Sequence, residues 1–535
     1  MAISDQDPWW RDAVIYQVYP RSFADSDGDG IGDIDGIRAR LSHLSDLGVD
    51  AIWMSPWYPS PMADAGYDVS DFRDIDPVFG TLADAEALIT EAHAAGIRMI
   101  IDIVPNHLSS EHVWFKKALA DPAAPERELF WFRPGRGPDG DEMPTDWVGE
   151  FDGTTWTRTT NPDGTPGDWY LHLFTPEQPD LNWDHPAVRA EFEDILRFWF
   201  DRGVDGIRID SAALLFKDRD LPPVVDGQPH PFHDLDEVHD VYRAWRRVAD
   251  HYPNRALIGE VWMPEVDRFA NYLRPDELHA AFNFDFLGCA WDPRLMRECI
   301  DRTLHAHAAI GAPATWVLSN HDVTRHVTRY GRTETTFSFA TASSLDGAPV
   351  DLELGTRRGR AAALLSLSLP GATYVYQGEE LGLWENENIP EEKIQDPMYG
   401  RRGHGRDGCR VPLPWSGDEP PFGFSSVEGW LPQPPEWKDR TVQAQTGDPS
   451  SMLELYRAAI ARRRAEPGLH TAAMAWLPAA PGVLAYTRGA GFACVLNMSE
   501  VAVALPDHDQ CLLTSSPLDG DLLPPDTAVW LRLAT

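Results

Sequence analysis

The chain has 535 residues, 43% hydrophobic and 24% charged, so its composition is ordinary for a globular protein but its length calls for one large domain plus smaller ones. With 46 Lys and Arg against 84 Asp and Glu, the net charge is −38, which argues against nucleic acid and anionic membranes as partners, because both need clustered cations. Cys289, Cys299, Cys409, Cys494 and Cys511 are scattered without metal-type spacing, which excludes a disulfide framework or zinc site and fits a reducing compartment. The opening Met1–Trp10 has neither a basic nor an apolar leader region, and no apolar run reaches membrane-span length, so a cytoplasmic location and no membrane partner are expected.

The first strand is predicted at Val14–Tyr19, and an Asp/Gly-rich loop follows it. Asp25, Asp27, Asp29, Ile31 and Asp33 fall at positions 1, 3, 5, 7 and 9 of a calcium-type loop, with Gly30 at position 6; Gly36 stands where an EF-hand carries its bidentate Glu. The expectation is a half-loop holding one structural Ca²⁺ or Mg²⁺ through four carboxylates and the Ile31 carbonyl, since clustered carboxylates repel one another without a cation. The alternative is a turn that caps a helix starting at Ile34. Further strands are predicted at Ala51–Met54, Arg98–Val104, Gly206–Ile209, Ala256–Glu260, Ala281–Phe286, Thr315–Leu318 and Thr373–Tyr376. Helical periodicity lies between most of them, at Ile34–Leu47, Leu82–Ala95, Pro186–Phe200, Glu237–His251, Pro293–His307 and Arg357–Leu367. Strand–helix alternation of this kind predicts an α/β fold, a (β/α)₈ TIM barrel, with a doubly wound sheet as the alternative.

The barrel is assigned to 1–104 and 187–469. Residues 105–186, rich in Gly, Pro, Trp and Asp, are read as a subdomain inserted after the third strand, at the barrel mouth. From 470 to 535 short alternating runs (Val483–Thr487, Phe492–Asn497, Val501–Leu505, Ala528–Leu533) predict a small all-β C-terminal domain.

In a parallel barrel the functional groups gather at the C-terminal strand ends. Polar residues collect there: Asp64 and Tyr67 beyond strand two, Asp102, Asn106 and His107 at strand three, Arg208 and Asp210 at strand four, Glu260 at strand five, and His321 and Asp322 beyond strand seven. Arg208 and Asp210 are two residues apart on a strand, so their side chains leave the same face; alone this is a plain ion pair. Together with Glu260 and Asp322 it is what retaining glycosidic chemistry requires, one ionised carboxylate to attack and one protonated carboxyl to donate. A divalent-metal hydrolase also carries an acidic mouth, but it needs more His ligands than His107 and His321.

The stretches Asp102–His107 (DIVPNH), Gln178–Trp183 (QPDLNW), Gly206–Asp210 (GIRID), Gly259–Trp262 (GEVW) and Ser319–Asp322 (SNHD), with 13–23 and 376–382, occur in the order of glycoside hydrolase family 13. The chain resembles that family, and within it the α-glucosidase and oligo-1,6-glucosidase branch. The resemblance implies Asp210 as nucleophile, Glu260 as acid/base and Asp322 as the carboxylate gripping the 2- and 3-hydroxyls. It further implies Arg208, His107 and His321 as hydrogen-bonding partners in that subsite, Tyr67 stacked under the sugar ring, and Phe151 and Phe174 as aromatic walls. Asp64 and Arg410 match a pair that binds the 4- and 6-hydroxyls of a terminal glucose. Ala213 and Leu214 stand where endo-acting relatives carry Lys-His, which favours exo-action, and Ser211 leans towards α-1,4 over α-1,6 linkages. The resemblance thus implies an α-glucosidase acting on a small oligosaccharide or α-glucoside, with possible transglucosylation, no organic cofactor, and a monomer or homodimer. An oligo-1,6-glucosidase, a sucrose- or trehalose-acting transglucosylase or isomerase, and a catalytically inactive relative are the alternatives.

Overall fold

Three apolar runs, β1 (Val14–Val18), β2 (Ala51–Met54) and β3 (Arg98–Ile103), pair in parallel at the centre of the molecule. Their continuous rather than alternating hydrophobicity is that of strands covered on both faces. The computed structural model describes residues 8–534 except 226, 264, 339–344, 346 and 490. Most of the Met1–Trp10 segment therefore lies outside the described residues.

After β3 the chain leaves the barrel and forms a three-stranded antiparallel sheet from β4 (Phe132–Arg133), β5 (Trp156–Thr160) and β6 (Pro166–Leu171), in the order β4-β6-β5. It returns through β7 (Gly206–Ile209), β8 (Ala256–Gly259), β9 (Ala280–Ala281), β10 (Thr315–Val317) and β11 (Ala372–Tyr376). The eight parallel strands run β10-β11-β1-β2-β3-β7-β8-β9. At the seam between β9 and β10 the Thr315 hydroxyl donates to the Ala281 carbonyl at 2.6 Å, and the sheet curls into a nearly closed (β/α)₈ barrel.

The helix Pro186–Asp201 buries Val188, Phe192, Ile195 and Trp199, a stripe at helical spacing that seats it against the barrel. Two elements differ from expectation. The predicted Ile34–Leu47 helix is two, Ile34–Ala39 and Leu41–Leu47, because Arg40 leaves helical geometry at φ −110°, ψ 7°. The aromatic run predicted as strand Ala281–Phe286 is strand only to Ala281; the Asn283 side chain accepts from the Phe286 amide and caps a helical turn at Phe284–Leu287.

The C-terminal part contains β12 (Met474–Trp476), β13 (Val483–Arg488), β14 (Phe492–Asn497), β15 (Val503–Ala504), β16 (His508–Thr514), β17 (Leu522–Leu523) and β18 (Thr527–Leu533). Five of them form an antiparallel sheet, β12-β13-β14-β18-β16, and β15 pairs separately with β17. It rests on the helix Leu352–Ser368, where Trp530 Nε1 donates to Leu364 O at 3.0 Å and Arg488 Nη1 to Ser368 O at 2.9 Å. At the mouth, Trp131, Trp147, Trp156, Leu171 and Leu173 of the insertion form one core with Leu214 and Phe232 from the segment after β7. That shared core holds the insertion over the strand ends. No helix among the described residues is long and apolar enough to cross a membrane.

Candidate active site

Backbone pairing continues past the strand ends and brings two carboxylates side by side. The Asp210 amide donates to Ile103 O at 2.9 Å and the Glu260 amide to Ile209 O at 2.8 Å. Arg208 is buried beneath them. Its Nη1 lies 2.7 Å from both Asp102 Oδ1 and Asp210 Oδ1, and its Nη2 lies 2.8 Å from Glu260 Oε2. One guanidinium thus serves three buried carboxylates. Ser211 joins the same two catalytic candidates from above: its amide donates to Glu260 Oε2 at 2.9 Å and its hydroxyl to Asp210 Oδ2 at 2.8 Å. It does so at φ +46°, a left-handed conformation unusual for a residue other than glycine. Trp262 Nε1 donates to the other oxygen of Glu260 at 3.1 Å.

The protonation pattern follows from this shortage of positive charge. Burial pushes Glu260 up to about 7 against the pull of Arg208, with Asp210 and Asp322 repelling it further. Asp210 is also raised by burial, to about 6, and is held lower by Arg208 and by the Ser211 hydroxyl despite the nearby Asp102. Asp102 itself is pushed to about 7 by burial against Arg208. The cluster titrates as a coupled unit, and within it a proton favours Glu260 over Asp210.

Asp322 is held differently. Burial raises it, but His321, Arg406 and Arg410 outweigh burial and keep it well below the usual carboxylate range. Its Oδ1 accepts from Arg406 Nη1 at 2.9 Å and from Arg410 Nη2 at 3.0 Å. Arg406 also reaches Asp64 Oδ1 at 2.7 Å and Asp396 Oδ1 at 2.8 Å. This corrects the expected Asp64–Arg410 pair: the partner of Asp64 is Arg406. Arg410 instead turns inward, donating to His321 O at 2.8 Å, and lies behind the cavity wall. Both arginines sit in one irregular loop, four residues apart, so spacing alone could not choose between them.

The cavity in front of these groups is lined by Asp64, Tyr67, His107, Phe151, Phe174, Asp210, Ser211, Glu260, Trp262, Asp322 and Arg406. Ala213 and Leu214 also line it, as do Glu150, His233, Met398 and Arg402 towards its rim. Phe151 and Phe174 meet edge to face at 5.2 Å, and Arg406 lies 4.9 Å over the Phe151 ring. The Tyr67 ring stacks parallel to His321 at 5.3 Å, and its hydroxyl contacts Asp102 Oδ2 at 3.1 Å and His321 Nε2 at 2.6 Å. Burial drives His107 and His321 down to about 3, so both are neutral. Arg208 and His321 do not line the cavity; they hold from behind the carboxylates that do. Gln178, whose Nε2 reaches Asp64 Oδ2 at 3.1 Å and His107 Nε2 at 3.0 Å, carries the insertion's QPDLNW stretch into the site.

A second buried ion anchors that stretch. Lys217 Nζ lies 2.7 Å from Asp180 Oδ2, 2.7 Å from Asn106 Oδ1 and 2.8 Å from Leu214 O. The insertion, the end of β3 and the segment after Asp210 therefore converge on one ammonium. Sequence reading passed over Lys217 because a lone lysine eight residues beyond a strand reads as solvated surface.

Away from the mouth, Asp25, Asp27 and Asp29 each offer an oxygen within 4.8 Å of the others. Asp33 stands apart from this group. Its oxygens accept from the Ser26 amide at 2.7 Å and hydroxyl at 2.8 Å and from the Gly36 amide at 2.6 Å, which makes it the N-cap of the helix Ile34–Ala39. Backbone amides and neighbouring charges split the remaining carboxylates. Asp25 lies below the usual range because the Ser425 hydroxyl and the Gly28 and Gly30 amides outweigh burial. Asp27 lies above it: the Asp29 amide pulls it down, but slight desolvation and repulsion from Asp29, Asp25 and Asp33 prevail.

The catalytic domain described as "Alpha amylase, catalytic domain" matches residues 17–472. The chain is 38% identical over 524 residues to a "Probable alpha-glucosidase" of Rhizobium meliloti (strain 1021), covering 92% of this chain and 90% of the relative. It is 33% identical to an "Oligo-1,6-glucosidase" of Parageobacillus thermoglucosidasius, covering 94% and 92%. Among solved structures, the α-glucosyl transfer enzyme XgtA superposes with a TM-score of 0.84 at 34% identity, covering 98% of this chain and 99% of that one.

Proposed function

The chain belongs to the α-amylase family, glycoside hydrolase family 13, in its α-glucosidase branch, and on that premise we propose that it is a retaining exo-α-glucosidase in which Asp210 is the nucleophile and Glu260 the acid/base. The observation that carries this reading is the Arg208 guanidinium shared between Asp210 and Glu260. It holds two carboxyl groups beside one cavity while their environments part their protonation.

In the first step Asp210 attacks the anomeric carbon of a terminal α-glucosyl unit, and Glu260 gives its proton to the departing glycosidic oxygen. The resulting β-glucosyl ester on Asp210 is opened by water from which Glu260 removes a proton, and the α configuration returns. A sugar or alcohol in place of water gives transglucosylation. Asp322, kept ionised by two arginines, grips the ring hydroxyls; Asp64 with Arg406 takes the far hydroxyls and ends the cavity behind one sugar unit. That closed end supports release of single glucose units. Ser211 beside the nucleophile supports α-1,4-linked substrates such as maltose.

The Asp25–Ile31 loop is proposed to hold one structural divalent cation, Ca²⁺ or Mg²⁺, through Asp25, Asp27, Asp29 and the Ile31 carbonyl, with Asp33 capping the helix beside it. The support is three converging carboxylates whose repulsion raises Asp27.

The test is hydrolysis of maltose, isomaltose and sucrose with the released anomer followed by NMR. α-Glucose appearing first, and loss of activity in Asp210→Asn, are expected. β-Glucose appearing first would overturn retention, and faster turnover of isomaltose than maltose would overturn the linkage assignment.

A further inference from the structure

Apart from the sugar cavity, another cavity opens between the helix Leu352–Ser368, Trp384 and the short helix Pro435–Arg440. It is lined by Thr356, Arg357, Arg360, Trp384, Arg440 and Ser516, with Leu352 and Glu353. It shares no lining residue with the sugar cavity. Three guanidinium groups and one carboxylate face it, on a chain whose net charge is −38.

Two of the three cations, Arg360 and Arg440, have no carboxylate in ion-pair contact among the described residues, although Asp448 acts on Arg360 and Asp439 on Arg440 from further away. Among the described residues Arg440 has no carboxylate within ion-pair distance and no hydrogen-bond acceptor, and it lies 5.6 Å over the ring of Trp384. Arg360 spends Nε on Ser515 O at 2.6 Å and Nη1 on Ser451 O at 2.8 Å, both neutral carbonyls. Arg357 reaches Asp526 at 3.6 Å and is 43% exposed. The Thr356 hydroxyl is buried without a partner. Burial holds both Arg360 and Arg440 below the usual range, and at Arg360 the charge of Arg440 adds to the effect. At Arg208 and Arg406, by contrast, this chain answers a buried guanidinium with carboxylates.

We propose that this cavity binds a phosphate group, free or as the phosphate ester of a small molecule, between Arg360 and Arg440. Guanidinium forks match the tetrahedral oxyanion, and two of them approach it from two sides. A divalent oxyanion also cancels the repulsion between the two arginines, which monovalent chloride does only in part.

The experiment is thermal unfolding and calorimetric titration of the full chain with inorganic phosphate and with glycerol phosphate, ionic strength being held constant with chloride. A saturable rise of about 1 °C at ten times Kd is expected. Arg440→Gln is expected to unfold at or above the wild-type temperature without phosphate and to lose the phosphate response. Tighter binding of glycerol phosphate assigns an ester as ligand; tighter binding of inorganic phosphate assigns the free ion. A response no larger than that to chloride, or an equal response in Arg440→Gln, overturns the proposal.

Discussion

Replacing Lys217 by Met removes the ammonium on which the insertion, β3 and the segment after Asp210 meet. Asp180 is left as a fully buried carboxylate held by neutral donors alone, the Leu173 amide at 3.0 Å and the Asn106 side chain. Breaking a buried pair from one side costs about 3–5 kcal/mol, because the surviving charge is uncompensated. The Asn106 and Leu214 oxygens lose their donor as well, at about 1 kcal/mol or more each. Protonation of Asp180, already raised by burial against Lys217, limits the sum, so a net loss of about 4 kcal/mol is expected. Since the ion joins the insertion to the barrel, the loss should fall there first. Trypsin is expected to cut within 105–186 well below the global unfolding temperature, and maltose activity to fail at that same lower temperature. The double variant Lys217→Met with Asp180→Asn, which leaves no orphaned charge, should recover a large part of the loss. A Lys217→Met stability within about 1 kcal/mol of wild type, or a double variant as unstable as the sum of the singles, would refute this account.

Arg406→Gln is expected to lower kcat/KM for maltose by about 10²–10³-fold, since it unpairs Asp64 and leaves Asp322 to Arg410 alone. The pH profile of kcat/KM should be a bell: activity rises through about 6 as Asp210 ionises and falls above about 7 as Glu260 loses its proton. In Glu260→Gln the basic limb should vanish for substrates with good leaving groups. Chelation with EDTA is expected to lower the thermal midpoint of the wild type, and Asp27→Asn to show the smaller chelator effect; an unchanged midpoint with no bound metal by elemental analysis would leave the loop a bare turn.

The barrel was legible because its strands are short apolar runs ending in polar residues, and a parallel barrel gives every such ending the same address. Asp210, Glu260 and Asp322 could be placed at one mouth on that rule alone. What resisted reading lies where no periodicity operates. Arg406 and Arg410 share a loop in which only packing decides which one faces Asp64. Asp33 carries an oxygen at a ligand-like position, but a helix starting one residue later makes better use of it. Lys217 was missed because burial of a lysine depends on oxygens from three separate segments. The apolar run Ala281–Phe286 read as strand because its aromatics fit one, and the cap at Asn283 turned it into helix.

The left-handed turn at Ser211 ties together two properties that are usually adjusted apart. In that conformation the residue's amide is committed to Glu260 and its hydroxyl to Asp210, while the residue itself lines the sugar cavity. A substitution there reshapes the space for the leaving sugar and, in the same stroke, takes a donor from the nucleophile. A β-branched apolar residue would bear the added strain of a positive φ. Linkage preference and pH optimum are therefore coupled variables at this position. Any evolutionary or engineered drift between them must pass through compensating changes elsewhere in the cavity wall.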